Sequence, residues 1–395
     1  MNKRRLTISL CAASFLQMGA LATASGMADM VKAFPDVPVT LVQLLTTLPI
    51  LIQTPVTLFA TFFCRFLSKK KLLILACVFF LTGGLIPFFI HNFLVIVIIR
   101  CLYGAAVGLV IPLVTALAGE HFEGGKRAGV LGLASAIGML GGAFYTFAGG
   151  LLSVAGWNYC FLTYLVGIPV LIIVASCLED EGIRHAVPAN HENKGSRSGL
   201  PAMVFVIALG SLVYLVLYFA YTNTISLFVA AEHIGNSADA GISYSLVNIC
   251  GFIGGLLFGK LHRRLREMLV PLCVGVTMAG FVIIAISETM PVLLIGSVLI
   301  GLGISWFLPE TQYIISAVVR PEQLTLAYGV NGAITNAGQI LSSPIFAFLA
   351  AALGIATERG VILSAGIGYI ALTVICVPFG LYLLKKIPGT GEERK

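Results

Sequence analysis

Residues 93–118 read FLVIVIIRCLYGAAVGLVIPLVTALA, a continuous apolar run interrupted by one charge, Arg100. A helix rises about 1.5 Å per residue, so about 20 apolar residues cross the hydrocarbon core of a bilayer. A strand of a membrane barrel shows alternating segments of about ten residues instead. The run therefore predicts a transmembrane helix. Working outward, further runs lie near 6–29, 39–63, 72–90, 128–151, 157–178, 200–230, 242–261, 269–287, 291–317, 325–353 and 360–384, which makes twelve. The expected fold is all-α and membrane-embedded.

Composition supports this. Of 395 residues, 58% are apolar and 10% charged, against about 25% charged in a soluble domain. So few charges cannot clothe a surface that faces water. The 43 glycines fit helices that must approach closely in lipid. The net charge of +7 is spread between the apolar runs rather than gathered in a stripe, which argues against nucleic acid. Nine cysteines include no CxxC pair, so neither a metal site nor a disulfide framework is expected. No GxxxxGK[ST] loop is present for ATP, and no cofactor is expected. Lys3-Arg4-Arg5 before an apolar run imitates a signal peptide, but the run is too long and is read as the first retained helix.

Positive charge orients the chain. With the N-terminus in the cytoplasm, 21 of the 24 Lys and Arg fall on the cytoplasmic side, Lys32 and Arg359 outside, and Arg100 within a helix. The C-terminus is then cytoplasmic as well. The longest polar stretch, residues 179–199, reads as a linker with Pro188, Asn190, Asn193 and Gly195. It separates an N-terminal six-helix bundle (1–178) from a C-terminal one (200–395). An internal repeat agrees. A shift of 197 residues lays Gly104 on Gly301, Pro112 on Pro309, Gly132 on Gly329 and Gly141 on Gly338, and the basic turn Arg65–Lys71 on His262–Met268.

The turn after the second run, Thr61-Phe62-Phe63-Cys64-Arg65-Phe66-Leu67-Ser68-Lys69-Lys70-Lys71, keeps the basic end of a Gly-x-Leu-x-Asp-x-x-Gly-Arg motif without its Gly and Asp. Its second copy, Gly259-Lys260-Leu261-His262-Arg263, keeps Gly and Leu. Arg100-x-x-x-Gly104, Gly138-Met139-Leu140-Gly141-Gly142 and Gly156-Trp157-Asn158-Tyr159-Cys160-Phe161 complete the pattern. Together with two six-helix halves, this resembles the major facilitator superfamily, in particular bacterial exporters of drugs and metabolites, over essentially the whole chain. The resemblance implies a substrate held between the halves near the midplane and exposed to each side in turn. It implies an interface of helices two, five, eight and eleven. It links Arg100 to proton transfer in proton-coupled members, and the turns at Arg65 and Arg263 to gating. The antiporter signature carries a Pro where Gly138 stands.

Charge inside a membrane helix is expensive and is a functional hypothesis by default. Arg100 is the one cation deep in a run: a counter-charge for an anionic substrate, a proton-relay group, or an anchor for a neighbouring helix's carbonyls. Glu310, after Pro309, is the one carboxylate well inside a run and the candidate proton-coupling group, unless it only neutralises a basic turn. Asp29 closes the first helix as a gate or a simple helix end. Tyr214, Tyr218 and Tyr221 share a helix face, and Tyr218, Tyr221 and Asn223 are expected on a cavity wall, joined by Trp306. Asn331, Thr335, Gln339 and Ser342 line one face of helix eleven, and Thr54, Thr57 and Thr61 one face of helix two. Asn331 and Gln339 count as substrate contacts. Gly251, Gly255 and Gly259 are expected as a packing seam of helix eight.

The expected activity is secondary transport of a small organic or drug-like solute, as proton-coupled efflux by a monomer in the plasma membrane. The alternative is import of a small organic anion with Arg100 as counter-charge. A membrane enzyme would bring His, Asp or Glu together, whereas the six His scatter among loops. A receptor would add a soluble output domain.

Overall fold

The computed structural model describes residues 2–122, 124–180, 182, 200–319, 324–353 and 357–386. Among them the helices group into twelve spans in chain order. Span one is Lys3–Phe15, Leu21–Ser25 and Met27–Ala33; span two Val39–Val42 and Leu44–Phe63; span three Lys69–Leu85 with a 3-10 turn Ile86–Phe89; span four Phe93–His121. Span five is Gly124–Ser153; span six a 3-10 segment Trp157–Val166 followed by Gly167–Cys177; span seven Ala202–Ala231; span eight Ser237–Leu265. Span nine is Leu269–Ala285, span ten Met290–Val318, span eleven Leu324–Leu353 and span twelve Glu358–Lys386. Nine of these are long and apolar enough to cross a membrane, and spans two and nine contain shorter apolar helices, Leu44–Thr57 and Leu269–Ala285. Of the expected linker, Glu179, Asp180 and Gly182 are described; its other residues, and Arg320, Arg394 and Lys395, lie outside the described residues.

Span one is not the continuous helix its hydropathy predicts. Between Phe15 and Leu21 the chain runs through tight turns with i→i−3 bonds, such as Gly19 N to Leu16 O at 3.3 Å and Leu21 N to Met18 O at 3.1 Å. A broken helix survives at membrane depth only where other groups take up the freed backbone. Here tyrosines do so. Tyr103 Oη accepts from Ala20 N at 2.7 Å and donates to Gln17 O at 3.3 Å, and Tyr164 Oη donates to Gly19 O at 2.7 Å.

The chain folds as two compact units. The first holds Met1–Arg197 and Gly235–Ser245, the second Ser198–Ile234 and Leu246–Lys395. The opening turns of span eight thus group with spans one to six, whereas the sequence boundary puts all of span eight in the second half. Glycines explain the grouping. A Cβ on Gly150 would lie 2.4 Å from Ser237 O, and one on Gly241 2.6 Å from Thr146 O, so backbones touch there. Beside them Ser245 Oγ donates to Ala143 O at 2.8 Å and lies 3.0 Å from Thr146 Oγ1.

Inside the units the 197-residue repeat is physical. Gly104 sits against Pro49 O of span two at 2.3 Å from its would-be Cβ, and Gly301 against Val247 O of span eight at 2.5 Å. Gly141 faces Phe15 O of span one at 2.6 Å, and Gly338 faces Leu212 O of span seven at 2.8 Å. Span three packs on spans four and six, and span nine on spans ten and twelve. Of the glycines expected to form a seam in span eight, Gly251 approaches Gly301 O at 3.7 Å, and no described atom lies within 4 Å of a Cβ at Gly255 or Gly259. The close approach is one helix face over, at Gly254, whose Cβ would meet Ser305 Oγ at 2.2 Å.

Candidate functional site

Each unit holds a fully buried charged side chain among its described residues. In the first, Arg100 is completely buried. Its Nε donates to Leu45 O at 3.2 Å and its Nη1 to Tyr164 Oη at 2.5 Å, while Nη2 has no hydrogen-bond partner. Aromatic faces surround the guanidinium: Tyr103 at 4.8 Å, Tyr164 at 5.4 Å and Phe161 at 6.0 Å from the ring centroids. Ring quadrupoles stabilise a desolvated cation. No described carboxylate pairs with it within 4.0 Å. The same tyrosines close the break in span one, so the cation ties spans one, two, four and six. These are contacts of the kind an anchor makes, with the Nη2 donor left over.

In the second unit Glu310 is completely buried in span ten. Its Oε2 lies 2.7 Å from His262 Nδ1, near the end of span eight. The imidazole packs on Tyr313 at 4.2 Å and Phe258 at 5.7 Å between centroids. The His262 side chain is 16% exposed and that of Glu310 0%. One edge of the pair therefore reaches the surface while the carboxylate does not. A proton can rest on either partner and keep the hydrogen bond: the imidazole N–H donates to a carboxylate, or the carboxylic O–H donates to a neutral imidazole. His262 lies in the last turn of span eight, which runs to Leu265, past the expected end at residue 261.

On the aromatic face of span seven, Tyr214 and Tyr221 are packed inside the second unit. Tyr214 stacks on Phe307 at 3.8 Å and 7°, with its hydroxyl 2.6 Å from Thr277 Oγ1. Tyr221, expected on a cavity wall, is buried and its hydroxyl reaches Ser297 Oγ at 3.4 Å. The reason is that one helix face can turn to two neighbouring spans as readily as to a cavity. Tyr218 is half-buried beside Phe219, at 5.3 Å. Asn223 Nδ2 donates to Ser343 Oγ of span eleven at 3.0 Å. Trp306 Nε1 donates to Gly254 O at 2.9 Å, joining spans ten and eight. Asn331 is buried with its Oδ1 unpaired, and Gln339 is half-buried.

Of the candidate gating residues, Asp29 accepts from Ser237 Oγ inside the first unit and lies 4.0 Å from Lys32. Arg65 and Arg263 are exposed. Arg263 Nε donates to Gly259 O of its own helix at 3.2 Å, and neither forms an ion pair among the described residues. In the first turn of span twelve, Arg359 Nη2 donates to Glu232 Oε2, just past span seven, at 2.8 Å and to Ser287 O, just past span nine, at 3.1 Å. That hydrogen bond, with the charge behind it, holds the Glu232 carboxyl below its ordinary value. Asp180 is likewise lowered, chiefly by a hydrogen bond from Ser68.

A bundle of apolar helices built from a twofold repeat, with buried polar pairs inside each half, defines a membrane transporter class. The chain belongs to the Major Facilitator Superfamily, whose family model matches residues 8–289 and 207–394. Solved structures of similar fold include a bacterial homologue of the human lysosomal transporter Spinster, at 12% identity and TM-score 0.77 over 99% of this chain and 100% of that one. A peptide transporter, POT, matches at 12% identity and TM-score 0.74 over 97% and 95%. The nucleoside transporter NupG matches at 14% identity and TM-score 0.72 over 94% and 99%. At these identities the likeness concerns the fold.

Proposed function

We propose that this transporter exports a small organic or drug-like solute by alternating access, driven by protons moving the other way. The observation that carries the reading is the buried Glu310–His262 pair, where a carboxylate shut off from solvent touches an imidazole that is not. Charge at membrane depth marks proton relays and substrate pathways. In this reading His262 passes the proton, Glu310 stores it, and the change of charge biases the bundle. Both termini lie in the cytoplasm of a cell whose plasma membrane holds the protein as a monomer, in keeping with the positive-inside rule. Asn223, Tyr218, Trp306, Asn331 and Gln339 remain the candidate substrate contacts, and Asp29, Arg65 and Arg263 the candidate gates.

The test uses purified protein in liposomes with a pH dye trapped inside and a solute library added outside. A solute-dependent pH change in wild type that disappears in Glu310→Gln is expected. Solute flux without any pH change, intact in Glu310→Gln, overturns the reading.

A second reading rests on Arg100 Nη2, a buried cationic donor with no hydrogen-bond partner among the described residues. It is import of a small organic anion, with Arg100 as counter-charge. Flux of an anion that is lost in Arg100→Ala and indifferent to Glu310→Gln selects it.

A further inference from the structure

Spans seven, nine, ten and twelve of the second unit leave a narrow cavity of about 110 Å³. That is room for part of an alkyl chain rather than a whole drug-sized molecule, in a wall that is mostly apolar with a few polar groups, as small-molecule sites are. The walls here are Phe307 and Ile314 of span ten and Leu372 of span twelve. The mouth lies between Val206 of span seven, 52% exposed, and Ile375 of span twelve, 64% exposed. Both are apolar residues in membrane-spanning segments, so the cavity opens sideways into hydrocarbon. No charged side chain stands among the described residues that line it.

Two hydroxyls reach the cavity, and they differ. Thr311 Oγ1 donates to Leu308 O in its own helix at 2.8 Å. Other membrane hydroxyls do the same, as Thr54 does to Ile50 O at 3.0 Å and Ser297 to Leu293 O at 3.0 Å. Ser211 is completely buried and its Oγ has no partner. A buried hydroxyl without a hydrogen bond is costly. Beside it, Gly210 has open space where a Cβ would stand, with no described atom within 4 Å.

We propose that this cavity binds an uncharged lipophile that enters from the hydrocarbon layer between spans seven and twelve and hydrogen-bonds Ser211 through a hydroxyl or carbonyl oxygen. The ligand is uncharged because nothing in the wall pairs with charge. It carries a polar group because Ser211 is the one wall hydroxyl not spent on its own helix. The site is separate from the Glu310–His262 pair, and its test measures binding rather than transport.

The probe is a long-chain alkyl ketone with a diazirine next to the carbonyl, added to the full-length protein in lipid nanodiscs. After irradiation, adducts are mapped by mass spectrometry. Labelling on peptides of spans seven, ten and twelve is expected. Gly210→Leu, whose side chain fills the void, reduces it by about tenfold or more; Ser211→Ala weakens it, and Ser211→Thr retains it. Equal labelling of wild type and Gly210→Leu overturns the proposal. If Gly210→Leu does not fold, judged by its thermal midpoint, unchanged labelling of Ser211→Ala overturns it instead. Solvent extraction of purified wild type and Gly210→Leu assigns the source. A lipophile that leaves only with wild type is a membrane constituent, and probe labelling without a co-purified species points to molecules arriving from outside. Either result accompanies a real site.

Discussion

Arg100 and Glu310 are both wholly buried, yet they are held in different ways. Arg100 gives charged hydrogen bonds to a carbonyl and a phenol inside an aromatic cage. Each such bond contributes roughly 1.5–3 kcal/mol. Arg100→Met should therefore lower stability by about 3 kcal/mol in detergent unfolding, and Arg100→Lys should not restore it, because an ammonium lacks the planar fork that reaches two acceptors. At the surface, Glu232 is held below the ordinary carboxylate range by Arg359. Its contribution is present above that range and lost as pH falls through the lowered folded value. The thermal midpoint should drop more steeply below about pH 4 in wild type than in Glu232→Gln. Both buried charges were legible in the sequence, because each interrupts an apolar run. Their partners were not: His262 is 48 residues from Glu310 and Tyr164 is 64 from Arg100, and neither distance leaves a local pattern.

At the scale of elements, glycine decides which helices touch. Gly104 and Gly301 admit a neighbour's backbone, whereas no described atom lies within 4 Å of a Cβ at Gly255 or Gly259. Gly104→Leu and Gly301→Leu should each lose about 1–3 kcal/mol or more through overpacking. Gly255→Leu and Gly259→Leu should be neutral or slightly stabilising, since leucine favours helix over glycine. Thermal unfolding of the four variants checks the contrast. The spacing of glycines in span eight suggested the opposite, because three glycines four apart resemble a seam whichever way they point. Span one shows the same limit. Hydropathy reports that residues 6–29 lie in lipid, and says nothing of a break whose backbone groups are satisfied by Tyr103 and Tyr164 from other spans.

For the whole molecule, the repeat was the strongest signal available, and the packing gives it a cause. Phe15 and Leu212 are themselves 197 residues apart, and each faces the glycine of its own half that the shift pairs, Gly141 or Gly338. What such symmetry does not carry is the chemistry, because Glu310 has Leu113 in the corresponding place. The Glu310–His262 pair joins span ten to span eight, and the proposed proton-driven transport rests on it. The most direct measurement takes a solute returned by the liposome screen and compares two fluxes: accumulation driven by a pH gradient, and exchange with the same solute at equal pH. In Glu310→Gln and His262→Gln, gradient-driven accumulation should vanish while exchange persists. Accumulation that continues at the wild-type rate in Glu310→Gln would contradict the account.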